Sequence, residues 1–370
     1  MYDNKHIPWD ISEDRRREYA LSSKESQAAR KRADALAQKS PESALSVRYD
    51  PNLAMPQKRK NGLKVLSLFS GGGGLDLGFD RAGFGHYASY EVLPFAGATL
   101  KANRKKWKVL SGSDGDVRRA NWKHLNGKID VVHGGPPCQP FSIAGRREGK
   151  ADDRDMFPEF IRAIEEIRPR AFLAENVLGF MSKKFESYRE EVLQKLGEHY
   201  NVVVFSLSSA DFGVPQVRKR VFIVGSRKSE GRKFDQSKIA KPKKRWSARE
   251  ALGLRKIGTD GPAPTLRCTL TGPRQTTSIA NSTASVIKWT ELGIWPHGVS
   301  PDRSIADAFP TKNQTYRLCV EECQILQGFP LDWEFKGATY QRLGLIGNSV
   351  CPPVAYAVAN SIHDQLLKDC

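Results

Sequence analysis

Cys138 lies in Gly134-Gly-Pro-Pro-Cys-Gln-Pro-Phe-Ser142, with proline on both sides. Proline fixes the local backbone, so the thiol is held in place. The apolar run from Ile129 to His133 reads as a strand, which puts Cys138 on a loop at a strand's carboxyl end, where α/β sheets gather catalytic groups. Glu175, in Ala174-Glu-Asn-Val177, ends a second apolar run, and a carboxyl there is costly to bury without a partner. Together the two offer a nucleophile and a proton donor facing one cleft.

A glycine turn, Phe69-Ser-Gly-Gly-Gly-Gly-Leu-Asp-Leu-Gly-Phe79, follows the first apolar run and opens a helix. Such a turn lets backbone approach a ligand and aims helix amides at a carboxylate or phosphate. The spacing is not G-x-G-x-x-G, because Asp76 and Leu77 stand where the last glycine would, and this disfavours a dinucleotide. Glu91 closes the second run, placed to accept from ribose hydroxyls, and Asp116 in Gly115-Asp-Val117 is a candidate acceptor for an adenine amino group.

These residues need a sheet to position them. Buried strands are predicted at Val65 to Phe69, Tyr87 to Glu91, Ile129 to His133, Phe172 to Glu175, Val202 to Leu207 and Val221 to Val224. Helical stretches are predicted at Leu75 to Ala82, Phe95 to Asn103, Met156 to Ile167, Phe185 to His199, Val320 to Leu326 and Pro353 to Leu367. The alternation implies a doubly wound, mainly parallel α/β sheet. A short Gly/Pro connection predicts that the last two strands form an antiparallel edge hairpin.

The chain has 370 residues and a formal charge of +18, which favours a polyanion, nucleic acid first, as partner. Residues 225 to 316 hold 17 Lys plus Arg against 7 Asp plus Glu, marking a basic reading domain after the alternation stops. No stretch approaches the roughly 18 apolar residues of a membrane span, and the N-terminus lacks the apolar core of a signal peptide. The expectation is therefore a soluble, cytoplasmic, nucleoid-associated monomer. The six cysteines read as free thiols, and Cys319 with Cys323 lacks the second pair a zinc site needs, so no metal is expected. Residues 1–60, with a capping-box-like Asp10-Ile-Ser-Glu13 and a closing Lys58-Arg59-Lys60, read as a surface helix on a flexible, basic linker.

In their order, the glycine loop, the Pro-Pro-Cys-Gln loop, the Glu-Asn-Val, Gln216-Val-Arg-Lys-Arg220, Arg317 to Pro330 and Gly347-Asn-Ser-Val350 resemble the DNA cytosine-5 methyltransferases of bacterial restriction-modification type, across about residues 63 to 367. The resemblance implies a Rossmann-like catalytic domain dependent on S-adenosylmethionine (61–225 and 326–370) and a smaller target-recognition domain (226–325). It implies that Phe69, Gly71, Gly73, Gly74, Glu91, Asp116, Pro136, Asn348 and Val350 hold the cofactor. Cys138 would attack carbon 6 of a flipped cytosine, Glu175 would protonate ring nitrogen 3, and Arg218 and Arg220 would contact the base carbonyl or a phosphate. Double-stranded DNA is the implied partner, with Gln139, Ser142, Gln216, Thr265, Arg267 and Arg274 as candidate contacts. Methylation of a structured RNA, or DNA binding on an inactive scaffold, are the alternatives.

Overall fold

A computed structural model describes residues 45–137, 155–268, 270, 276–309, 311 and 315–367. The expected N-terminal helix and the residues Cys138, Gln139, Ser142 and Arg274 lie outside them.

The first half is a seven-stranded sheet in the order β3-β2-β1-β4-β5-β7-β6, formed by β1 (Lys64–Leu68), β2 (Gly85–Glu91), β3 (Val109–Ser111), β4 (Val131–Gly134), β5 (Ala171–Val177), β6 (Tyr200–Ser208) and β7 (Lys219–Arg227). β1 pairs in parallel with β2 and β4, β2 with β3, and β4 with β5. Helices α1 (Gly74–Arg81), α2 (Pro94–Asn103), α3 (Phe157–Ile167) and α4 (Glu186–Gly197) alternate with the strands. In α3 the buried residues Phe157, Phe160, Ile161, Ile164 and Ile167 recur at helical spacing and form one apolar stripe against the sheet.

The expected hairpin is antiparallel, but it is not a simple edge ribbon. β7 inserts between β5 and β6 and runs antiparallel to both, so Val177 faces Arg220 and Glu175 faces Phe222. That insertion carries the Arg218–Arg220 segment to the end of β5. The three-residue β3 was too short to show in the sequence pattern.

Beyond β7 the basic region is more regular than its composition implied. It holds α5 (Thr283–Glu291), β8 (Ile294–Ser300), α6 (Arg303–Ala308) and β9 (Tyr316–Cys319), with β8 and β9 parallel. Its buried Trp289, Ile279, Ile294 and Leu318 belong to one cluster with Leu77, Ala96 and Leu100 of the first half. α7 (Val320–Gln327) crosses the boundary expected at 325, and α8 (Thr339–Asn348) and α9 (Pro352–Ile362) return the chain to the sheet. There α1 and α9 approach closely: a Cβ at Gly78 would come within 2.4 Å of the Ala355 Cβ. No helix among the described residues is long and apolar enough to cross a membrane.

Candidate active site

Two loops face each other across the carboxyl ends of β1, β4 and β5. The glycine turn is the more constrained. Phe69, Gly71 and Gly73 have φ of 54°, 54° and 84°, the left-handed region that a non-glycine such as Phe69 enters only at a cost. Gly71 has open space on its Cβ side. Its neighbours do not: a Cβ on Gly72 would meet Ser349 Oγ at 2.6 Å, one on Gly73 the Trp333 ring at 2.6 Å, and one on Gly74 the Val350 carbonyl at 2.1 Å. The Trp333 indole N–H also donates to the Gly72 carbonyl at 3.0 Å. The glycine run therefore serves packing on one side and leaves an open face at Gly71 on the other. Trp333 and Ser349 escaped the sequence reading, since nothing in local spacing connects them to residue 72.

Glu91 lies at the end of β2, buried, and accepts from the Gly71 amide at 2.6 Å and the Leu93 amide at 2.8 Å. Burial raises its pKa and those amides oppose the rise. A carboxylate has further lone pairs, so it can still accept from a diol. Asp116 is already engaged, accepting from the Arg118 backbone at 3.1 Å and side chain at 2.7 Å; the Arg118 hydrogen bond holds its carboxyl below the usual range. Asn348 is exposed at the last position of α8, and Val350 is buried against the turn.

The second loop begins on β4. Asn176 donates to the buried Pro136 carbonyl at 3.2 Å, and a Cβ on Gly135 would lie 3.1 Å from Glu175 Oε2. Glu-Asn on β5 thus grips the stem of the loop leading to Cys138. Glu175 is paired with Arg220, Nε to Oε1 3.1 Å, and its pKa is raised by burial, against the pull of Arg220 and Arg218. Arg218 is 3% exposed and its Nε has no hydrogen-bond partner; burial pushes its pKa down to about 9, helped by neighbouring Arg220 and opposed by Cys351 and Glu175. Ser209 orders this segment, donating to the Gln216 carbonyl at 2.5 Å and accepting from the Arg218 amide at 3.0 Å. The result is a buried carboxyl flanked by two guanidiniums, a geometry that can hold a proton on Glu175 and receive negative charge beside it.

The candidate DNA contacts separate. Gln216 is fully buried: its amide donates to Leu326 O at 3.1 Å and Gln327 Oε1 at 2.9 Å, and its carbonyl accepts from the Leu266 amide at 3.1 Å. It ties the basic region to α7 rather than facing a groove. Thr265 donates to the Val217 carbonyl at 2.8 Å. Arg267 is exposed, reaches Asn281 at 3.3 Å, and its charge is felt by Arg220.

Comparison with known proteins agrees with this arrangement. Residues 63–364 match the family model described as C-5 cytosine-specific DNA methylase. The chain is 34% identical over 310 residues to the Type II methyltransferase M.NgoMIV of Neisseria gonorrhoeae, covering 82% of this chain and 98% of that one. It is 32% identical over 342 residues to M.NgoPII of the same organism, with 83% and 97% covered. Among solved structures, a DNA modification methyltransferase encoded within an E. coli prophage superimposes with a TM-score of 0.58 at 23% identity over 83% of this chain and all of that one, and Entamoeba histolytica methyltransferase EhMeth with 0.55 at 16%, over 84% and all. The sheet is thus that of the S-adenosylmethionine-dependent methyltransferases, and the chain belongs to the C-5 cytosine-specific DNA methylase family as a DNA cytosine-5 methyltransferase.

Proposed function

We propose that this enzyme methylates carbon 5 of a cytosine flipped from double-stranded DNA, within a restriction-modification system. The observation that carries the reading is the buried Glu175, gripping the stem of the Cys138 loop and flanked by Arg218 and Arg220.

The chemistry follows from what cytosine lacks. Carbon 6 is a poor electrophile, so Cys138 as thiolate needs a proton delivered to ring nitrogen 3 as it adds. Glu175 is suited to that delivery because burial favours its protonated form. When the proton leaves, Arg220 at 3.1 Å stabilises the carboxylate. Arg218, buried with its Nε unmatched, is assigned the base carbonyl or an adjacent phosphate. Carbon 5 then carries the nucleophilic electron pair. S-adenosylmethionine, when bound, supplies the methyl group, held by Phe69, Gly71, Glu91 and Asn348, with Gly73, Gly74, Pro136 and Val350 shaping the wall. Loss of the carbon 5 proton and of the Cys138 thiolate restores the ring. Asp116 joins the adenine only if it shares its bond to Arg118. Flipping the base costs a few kcal/mol, which contacts from the basic region, with Arg267 as its candidate nearest Glu175, would offset. The enzyme is expected to act as a monomer.

Full-length protein with Cys138→Ser, compared with wild type on labelled cofactor and duplex DNA, tests the reading. Transfer should vanish in the variant while cofactor and DNA binding persist. Retained turnover would overturn the covalent role, and transfer by the wild type to structured RNA alone would overturn the substrate.

A further inference from the structure

Residues 45–61 precede the family match and read in sequence as a basic linker, yet they are packed along their length. At one end the Arg48 and Tyr49 amides both donate to the Ala251 carbonyl, at 2.9 and 3.2 Å. Gly253, with φ of 67°, makes room for them: a Cβ there would lie 1.9 Å from the Ser46 carbonyl. Tyr49 is 4% exposed and its ring packs on Trp246 at 5.5 Å. At the other end the segment is fastened to the carboxyl end of α1. The Arg81 guanidinium donates to Asn52 at 2.6 Å, the Lys58 amide to the Arg81 carbonyl at 2.8 Å, and Gln57 to the Asp80 carbonyl at 2.9 Å, with Met55 fully buried between the ends.

Helix α1 carries the glycine turn at its other end, and residues 246–254 open the basic region. One segment therefore bolts the two together. Tyr49 also reaches the back of the site: burial drives its phenol above the usual range, and the Cys351 thiol adds to the rise. Cys351 in turn feels Arg218, Arg220, Ser209 and Glu175.

We infer that residues 45–61 are an interlobe clasp, seated by Tyr49 on Trp246 and Ser46 on Gly253, that positions the basic region and the Arg218 segment for transfer to duplex DNA. The clasp touches no reacting atom. It acts by fixing the register of two lobes that must both engage one substrate, and misplacement of about 1 Å far from the chemistry costs on the order of a hundredfold in rate.

The test uses the full chain with Gly253→Ala, Tyr49→Ala and Tyr49→Phe, none of them in the catalytic machinery. Gly253→Ala and Tyr49→Ala should lower kcat/KM for DNA by about tenfold to a hundredfold while KM for S-adenosylmethionine stays within about twofold. Tyr49→Phe should stay near wild type, since its ring keeps the seat and its hydroxyl has no hydrogen-bond partner. If Gly253→Ala does not fold, the Tyr49 pair carries the test. Unchanged kcat/KM for DNA, or a KM for cofactor that rises in step with that for DNA, would overturn the clasp, as would Phe failing as badly as Ala. The inference rests on duplex DNA being the substrate. A wild type that methylates no DNA removes that reading, whereas an active wild type with unaffected variants removes only the clasp.

Discussion

Strands β1, β4 and β5 bury nearly every side chain on both faces, whereas β8 and β9 mix buried with half-buried positions and draw their core from distant residues. The first group must be apolar runs because helices cover both faces of a parallel sheet. The second gains its stability from contacts such as Trp289 with a cluster that includes Leu77 and Leu100, separated from it by about half the chain. A fold coded locally shows in sequence; one coded by long-range packing does not.

Three measurements sharpen or break that contrast. The largest effect belongs to Glu175, at the end of a locally coded strand. Glu175→Gln should lower kcat by about 10²–10⁴-fold, the range for a positioned proton donor, with cofactor binding kept; near-normal turnover would assign the residue to loop support alone.

Gln216 comes next, because its sequence setting and its contacts disagree. Gln216→Ala leaves the Leu266 amide and the Gln327 side chain unpaired inside the protein, so unfolding free energy should fall by about 1–3 kcal/mol with little change in the salt dependence of DNA binding. A stable variant with a shallower salt slope would return Gln216 to the DNA interface.

The smallest is His133, a polar break in the buried β4, with neither ring nitrogen hydrogen-bonded and its ring 4.6 Å from Phe79. Burial pushes its pKa from 6.5 to about 3. The unfolded chain therefore takes up this proton first as pH falls. The stabilisation is complete above pH 6.5 and is lost on acidification through about 3, by about 1.4 kcal/mol per pH unit. His133→Leu should flatten that part of an acid-denaturation profile; an unaltered slope would show that His133 is not buried neutral.

The strand-helix alternation, the glycine turn, Glu91, Glu175 and the two arginines were legible because each sits at the end of an apolar run. What stayed hidden was set by pairing across the chain. The insertion of β7 beside β5 depends on register, Trp333 meets Gly72 across 261 residues, and the clasp becomes visible only when Ala251 and Gly253 are seen beneath it. The alternating Gln216, Arg218 and Arg220 look equivalent in sequence, but burial gives them three different surroundings.

The most direct test of the account is to incubate the full-length protein with mixed-sequence duplex DNA and labelled S-adenosylmethionine and then map methylation by bisulfite sequencing. Label in DNA, with cytosines protected within one short sequence, is the result expected of a site-specific cytosine-5 methyltransferase. Label absent from DNA while the protein is folded and binds the cofactor would contradict it.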